Sequence, residues 1–522
     1  MILHHQFIKT AKNQGSKLAF IDKTTGRDLT YSQALIASLI LSRFVRNFDE
    51  KYIGIMLPTS AGCYLSVLAT QYAGKIPVMI NYSTGAEQNV EYAREKCGFN
   101  TVITSRTVLS KVGCPEMPGM IFVEDLLKRI STTDKIGAAL RSKLPTSVII
   151  ASTANPSPDD TAVILFTSGS EKAPKGVELS HRNITANLDG IVHVTKLTSD
   201  DIMMSILPFF HVFGFTTNLW LPVYLGMTAV TYANPLDAKT IAGIIKEQKP
   251  TIMIGTPFFL MSYERFAKPG DFSSLRLVVA GADKMPEWLF DSFQRNHNIQ
   301  VIEGYGATET SPVISVNPPG ESKRGSIGRP LYNVEVKITD LDTGETLPPG
   351  KEGKILARGD NIMKGYFGDV EETSLKIENG WYETGDMGLL DDEGYLWHKG
   401  RLKRFVKIGG EMVSLVHVES VIEELLPEGV ECCVVEIPDA RKGAVIAVAT
   451  NAEIDVTPIK KQASEKLPPI ALPKHYVVLE EMPKMGSGKI DFRTTTQLVK
   501  AQLTPTDSKS KSKPEAVSSE AE

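Results

Sequence analysis

Cysteine is scarce, with five residues in 522, at positions 63, 97, 114, 432 and 433. None stands at metal-ligand spacing, the number is odd, and adjacent Cys432 and Cys433 make a poor bridge, so the expected setting is a reducing cytosol. Charge of one sign is also missing. The net charge of -4 gives no argument for a nucleic-acid partner. The opening MILHHQFIKTAKNQG has no basic start followed by an apolar run, and no secretory signal is expected. One long stretch, 202–236, has no Asp, Glu, Lys or Arg, but Pro208, Gly214, Pro222 and Gly226 interrupt it. It reads as buried strand, buried helix and strand, with a membrane-facing helix as the alternative. The phosphate-binding G-x-x-x-x-G-K-[ST] of common NTPases is absent as well.

What is present is the composition of a globular protein, 42% hydrophobic and 23% charged, in a chain too long for one core. The runs KYIGIML (51–57), TAVILFT (161–167), LRLVVAG (275–281) and IQVIEGYG (299–306) read as buried strands, and 286–295 has the length of a helix. Strands alternating with helices imply α/β architecture with largely parallel sheets. From about 320 to 400 the runs VEVKITD, GKILARG and GYLWHKG alternate between turn-rich segments, as in an antiparallel sheet or small β-barrel. KGRLKRFVK (399–407) carries five cations in nine residues, and HVESVIEELL, VECCVVEIP, GAVIAVAT and KHYVVLEEMP beyond it suggest a small α+β unit. The expected organisation is therefore an α/β protein. Residues 1–400 form a large N-terminal domain of parallel-sheet subdomains plus a small antiparallel barrel. Residues 401–502 form a small α+β C-terminal domain, and 503–522 a disordered tail with almost no large apolar side chains.

Four segments carry chemistry. The first is Thr167-Ser168-Gly169-Ser170-Glu171-Lys172-Ala173-Pro174-Lys175-Gly176, which follows a strand-like run and offers N–H and O–H donors with little side-chain bulk, as a polyphosphate needs. In the second, Gly304-Tyr305-Gly306-Ala307-Thr308-Glu309-Thr310, glycines permit a tight turn, Tyr305 offers a face for stacking a base, and Glu309 is a hard oxygen ligand for Mg²⁺. The third is Trp381-Tyr382-Glu383-Thr384-Gly385-Asp386 with Gly400-Arg401, where a carboxylate can accept from both ribose hydroxyls. The fourth, Pro483-Lys484-Met485-Gly486-Ser487-Gly488-Lys489-Ile490, sets a lysine after a glycine turn. Each segment alone is equally readable as a polar turn or a solvated surface.

In order and spacing the four together resemble the adenylate-forming superfamily of acyl-CoA synthetases, firefly luciferase and peptide-synthetase adenylation domains, over about 1–495. The resemblance implies ATP and Mg²⁺ as cofactors, and an acid joined to a thiol through an acyl-AMP. It implies that Thr167, Ser168, Gly169, Ser170, Lys175 and Gly176 hold the β- and γ-phosphates, that Thr308 contacts phosphate and that Glu309 ligates the metal. Gly281, Ala282, Asp283, Tyr305 and Gly306 would line the adenine pocket, and Asp386 and Arg401 would bind ribose. Lys489 would bridge the carboxylate and the α-phosphate, the C-terminal domain would rotate between half-reactions, and Gly409-Gly410-Glu411 would line the thiol tunnel.

The aromatic, charge-poor Leu207-Pro208-Phe209-Phe210-His211-Val212-Phe213-Gly214-Phe215 falls where relatives place the acyl pocket, with His211 as gate, and suits a fatty acid. Glu171 in place of threonine, and Arg404 in place of the hinge aspartate, are similar to acyl-[acyl-carrier-protein] synthetases. The cations Lys399, Arg401, Lys403, Arg404 and Lys407 would favour an acidic carrier protein. The expected acceptor is thus acyl carrier protein, with coenzyme A as the alternative and a non-catalytic acyl-binding relic as the other-class reading. The expected location is cytoplasmic, with peripheral contact at the inner membrane face left open. Lys172 stands where the phosphate loop usually has glycine, and a positive φ there would be costly.

Overall fold

The computed structural model describes residues 1–167, 174–408, 411–427, 429–439, 443–485 and 490–503. It divides into two compact units. One is Met1–Lys403 with a short segment from Lys484; the other is Arg404–Pro483 with the chain from Ile490.

In the larger unit, two sheets are mostly parallel. A nine-stranded sheet has at its centre Ile202–Ser205, Ile252–Gly255, Leu277–Gly281 and Val301–Gly306, paired parallel in the spatial order 301, 277, 252, 202. A seven-stranded sheet holds Tyr52–Ile55, Ile76–Met79 and Thr161–Phe166 in parallel, with Gly176–Ser180 antiparallel to the last. Helices cover these sheets, so their strands are buried on both faces and read as continuous apolar runs. Every residue of Ile252–Gly255 and Leu277–Gly281 is buried. The expected strands at 51–57, 161–167, 275–281 and 299–306 are all present, trimmed by a residue or two at the ends.

The 202–236 stretch folds as a buried strand, a π-helical turn over Gly214–Trp220 running into Leu221–Leu225, and the strand Thr228–Thr231. Among the described residues no helix is long and apolar enough to cross a membrane. The antiparallel region is a five-stranded sheet that pairs Val334–Thr339, Gly353–Gly359, Trp381–Leu390 and Leu396–Arg401. Its edges do not join, so it makes half of a barrel.

The smaller unit is α+β, with Cys432–Asp439 and Gly443–Thr450 antiparallel and His475–Val478 added in parallel, packed by the helices Leu415–Glu423 and Phe492–Leu503. Arg404 ties it together. Its guanidinium donates to both Glu419 oxygens at 3.0 and 2.7 Å and to the Val434 carbonyl at 2.9 Å, and lies 4.4 Å over the Phe492 ring. Paired and mostly buried, it is fixed inside this unit. Residues 504–522, the expected tail, lie outside the described residues.

Candidate active site

Parallel strands deliver their carboxyl ends to one edge of a sheet, where loops can gather around a ligand. Three such loops meet here. After Leu277–Gly281 the chain turns through Ala282, a non-glycine residue at φ +73°. Gly281 is glycine for space, since a Cβ there would stand 2.9 Å from the Phe213 ring. After Val301–Gly306 comes the turn Thr308–Thr310, and a Cβ on Gly306 would fall 1.9 Å from the Pro312 carbonyl oxygen.

This second loop is clamped from outside. The Asn187 amide, on the helix His181–Thr195, donates to the Val313 carbonyl at 2.7 Å and accepts from its N–H at 3.2 Å, while Asn361 donates to the Thr310 carbonyl at 2.9 Å. Both asparagines are fully buried. They fix the loop that presents Thr308 and Glu309, and they satisfy carbonyls that burial would otherwise leave unpaired.

The third loop follows Thr161–Phe166. Thr167 N–H donates to the Lys175 carbonyl and Lys175 N–H to the Thr167 hydroxyl, both at 3.0 Å, which closes the neck of the loop. Ser168, Gly169, Ser170, Glu171 and Lys172 lie outside the described residues, as do Gly409, Gly410, Lys489 and the side chains of Lys403, Lys407 and Glu411.

One cavity of about 430 Å³ runs past these loops within the larger unit. Its polar end is lined by Thr167, Lys175, Ala282, Tyr305, Thr308 and Glu309 together with Gly281, Gly306 and Arg401. Glu309 accepts from the Tyr366 hydroxyl at 2.7 Å, and burial and then the Glu309 charge push the Tyr366 phenol well above its ordinary value. The Lys175 ammonium pairs with Glu372 and lies 4.7 Å over the Tyr366 ring.

Asp386 lies just behind this end, buried, opposite Arg401 in the strand register. One oxygen accepts from the Tyr305 hydroxyl at 2.5 Å. The other has Arg401 Nε at 3.4 Å and His398 Nε2 at 3.7 Å, with no hydrogen bond. Burial alone would raise the Asp386 pKa; His398, Arg401 and Tyr305 more than offset it and hold the carboxylate below its ordinary range. The site thus keeps an ionised acceptor with spare capacity beside a cation.

The apolar end follows the sheet face. Ile252 and Ile254, and Leu277, Val279 and Gly281, alternate along their strands and all face the cavity, opposite Ile191 and Thr195 of the helix His181–Thr195. Leu277 to Gly281 spans about 13 Å at strand rise. At the far end Leu197, in the connection that leaves this helix, faces the cavity. That connection is stapled by Asp201, which takes Arg276 Nε at 2.7 Å and the Thr251 hydroxyl at 2.8 Å. Leu207, Pro208, His211, Val212, Phe213 and Gly214 of the aromatic segment also line the cavity.

Most of the anticipated residues among those described come together around the cavity, but Asp283 and Gly176 do not line it, and Phe209, Phe210 and Phe215 of the expected acyl pocket are buried in the core instead. Asp283 is exposed and binds the Lys284 N–H rather than facing the cavity. Gly176 is buried in a strand, its carbonyl taken by Phe367 N–H at 2.7 Å. Sequence reasoning missed Tyr366, Glu372 and Lys376, which carry no motif, and the clamps Asn187 and Asn361. An asparagine on the apolar side of a helix, as at Asn187, was the available signal.

Fold and site define a two-unit α/β protein whose cavity joins a charged end, built from loops after strand ends, to an apolar trough on the sheet face. The chain belongs to the AMP-binding enzyme family, within the adenylate-forming superfamily: that family matches residues 7–367, and the AMP-binding enzyme C-terminal domain matches 417–489. It is 29% identical to the long-chain-fatty-acid–CoA ligase of Bacillus subtilis over 517 residues, 91% of each chain. It is 33% identical to the medium-chain fatty-acid–CoA ligase of Escherichia coli over 514 residues, 92% of this chain and 88% of that one. Among solved structures, ATP-bound MatB from Rhodopseudomonas palustris shares the fold, with a TM-score of 0.84 at 23% identity over 97% of this chain and 100% of that one.

Proposed function

We propose that this chain is an AMP-forming acid–thiol ligase that activates a fatty acid with ATP as acyl-AMP and passes the acyl group to coenzyme A. The observation that carries the reading is the single cavity with a charged loop end and an apolar trough, which suits a nucleotide and an alkyl chain meeting at one carboxylate. The carboxylate attacks the α-phosphorus, pyrophosphate leaves, and the thiol then displaces AMP. Such chemistry rests on positioning and charge neutralisation.

In this reading Thr167 and Lys175, with Ser168, Gly169 and Ser170, hold the β- and γ-phosphates, and Thr308 contacts phosphate. Gly281, Ala282, Tyr305 and Gly306 border the adenine, and Asp386 and Arg401 hold the ribose. His211 gates the acyl trough, and Lys489 serves the reacting carboxylate. The metal assignment fits the donors present. Of the cavity's carboxylates, Glu372 pairs with Lys175 and Glu383 has Lys376 and Lys354 at 3.8 Å, while Glu309 accepts from the Tyr366 hydroxyl and has no ion pair among the described residues, as suits Mg²⁺ held by one carboxylate plus phosphates. Bound there, the ion would neutralise phosphate charge.

Coenzyme A is preferred to carrier protein as acceptor for two reasons. The two curated relatives are named CoA ligases. The basic segment also has fewer cations to offer than its sequence suggests. Lys399 pairs with Glu352 at 3.0 Å, Arg401 stands on Asp386, and Arg404 is held by Glu419. Purified protein with ATP, Mg²⁺ and linear acids should catalyse acid-dependent pyrophosphate exchange, and should make thioester with coenzyme A at least about tenfold faster than with holo-acyl carrier protein. No exchange with any acid would refute the ligase reading, and preference for carrier protein would reverse the acceptor.

A further inference from the structure

The helix Thr132–Lys143 and the short helix Thr146–Ala151 that follows it turn an apolar stripe outward, far in kind from anything the ligase chemistry uses. Ile136, Leu140, Leu144 and Val148, spaced by four, are 56%, 67%, 42% and 46% exposed. Ile136 and Leu140 share a face of the first helix, and Leu144 and Val148 follow in the connection and the second helix; single exposed apolar side chains are ordinary on a protein surface, four within thirteen residues are not.

The surroundings of the stripe are basic in a chain whose net charge is -4. Within the two helices, residues 132–151, stand Lys135, Arg141 and Lys143 against a single acid, Asp134; Glu124, Asp125, Asp159 and Asp160 lie outside them, and Lys128 pairs with Asp125 at 3.7 Å. Asp134 is already paired with Arg43 of the neighbouring helix Tyr31–Val45. Lys12 donates to the Ser142 and Leu144 carbonyls at 3.0 Å each and so caps the helix end with a cation. Arg46 and Arg141 both donate to the Ser152 carbonyl at 2.7 Å. Burial first, and then the charge of Arg46, lower the Arg141 pKa, as crowded cations require. Lys135 and Lys143 are exposed at the flanks of the stripe.

We infer that this face docks on an anionic lipid surface, with Ile136, Leu140, Leu144 and Val148 entering the headgroup boundary and the surrounding cations contacting lipid phosphates. An apolar helix face rimmed by Lys and Arg lies in a bilayer interface by combining apolar burial with attraction to anionic headgroups. An acidic or neutral rim would have pointed to another partner. The inference stands on the surface alone and is independent of the acid or thiol used.

Co-sedimentation of the full chain with vesicles tests it. Wild type should bind vesicles of phosphatidylcholine mixed with phosphatidylglycerol, bind phosphatidylcholine alone weakly, and release from the mixed vesicles at high salt. Ile136→Ser with Leu140→Ser should weaken binding at least about tenfold by removing apolar burial, and Lys135→Glu with Lys143→Glu by a similar factor on mixed vesicles only. All four positions are exposed, so thermal stability and pyrophosphate exchange with a soluble short acid should stay at wild-type values. That control separates failure of this inference from failure of the ligase reading. Indifference of wild type to anionic vesicles would overturn the proposal, as would unchanged binding by the Ile136/Leu140 variant. A wild-type dimer that the same variant converts to monomer, without vesicle binding, would assign the face to a second copy of the chain and overturn it equally.

Discussion

The two ends of the cavity are built by different means. At the charged end the functional groups sit on loops beyond the strands, or for Asp386 within the antiparallel sheet, and each is held by another polar group: Glu309 by Tyr366, Lys175 by Glu372, Asp386 by Tyr305, and the Thr308–Thr310 turn by Asn187 and Asn361. At the apolar end alternate side chains of Ile252–Gly255 and Leu277–Gly281 make the wall. The period of two fixes which residues face inward, and nothing beyond packing holds them. Function at the first end therefore depends on single atoms, and at the second on volume. A substitution that keeps shape but removes charge should be severe at one end and mild at the other, while a change of size should do the reverse.

Glu309→Gln makes the sharpest break. The amide oxygen can still accept from Tyr366, so the loop should keep its shape while the negative charge that suits Mg²⁺ is lost. Acid-dependent pyrophosphate exchange should fall about a hundredfold or more, with a weaker apparent Mg²⁺ affinity and little change in thermal stability. An unchanged Mg²⁺ titration would remove Glu309 from the metal-binding role.

The same contrast explains what was legible in the sequence. The charged end could be read because a turn at a strand end needs glycine where backbones approach, as Gly306 does against Pro312, and because hydroxyls and carboxylates there have few structural reasons to be present. The strands themselves were legible as apolar runs, for the sheets are covered on both faces. The apolar end was hidden by the same rule. In LRLVVAG every residue is apolar, glycine or an end cation, so the sequence cannot say which alternate set faces a cavity and which faces packed core. Lys175 paired with Glu372, or Arg404 with Glu419, joins residues 197 and 15 positions apart, and no local pattern announces such a pair. Arg404, expected among the cations that would favour an acidic carrier protein, is instead held by Glu419: a charged run looks exposed until its partners are known.

Leu197 tests the volume end. It faces the cavity where the connection stapled by Asp201 and Arg276 crosses the foot of the strands. Leu197→Ala removes three side-chain carbons, so the preferred linear acid should lengthen by about two or three carbons, with a change of roughly tenfold in the kcat/KM ratio of neighbouring chain lengths. Leu197→Phe should shorten the preference instead. Pyrophosphate exchange across a series of linear acids reads both, and the KM for ATP should stay within about twofold of wild type, since the polar end is untouched. If both variants keep the wild-type chain-length profile while activity survives, Leu197 does not form the floor.

The smallest effect on activity is expected at Glu303, which sharpens the comparison within the polar end itself. Glu303 and Asp386 are both buried carboxyl groups close to the site, 6% and 5% exposed. Asp386 has Arg401 and His398 beside it; Glu303 takes the Met285 N–H on one oxygen at 3.1 Å and feels the opposed charges of Lys284 and Glu287. Burial pushes the Glu303 pKa up to about 7, while Asp386 is held below its ordinary range. Because the folded-state pKa of Glu303 is raised, its proton contributes stability that is fully present below the ordinary carboxylate value near pH 4.5 and is lost as pH rises through about 7. At about 1.4 kcal/mol for each tenfold change in proton affinity, the loss by pH 8 is roughly 3–4 kcal/mol. Glu303→Gln mimics the protonated form and its side-chain oxygen can still accept from Met285. The variant should therefore match wild type in thermal stability at pH 5 and exceed it at pH 8, with adenylation within about threefold of wild type at either pH. Equal destabilisation at both pH values would mean that the carboxylate is ionised in the fold and is needed there, and that a neighbouring cation is not what separates Asp386 from Glu303.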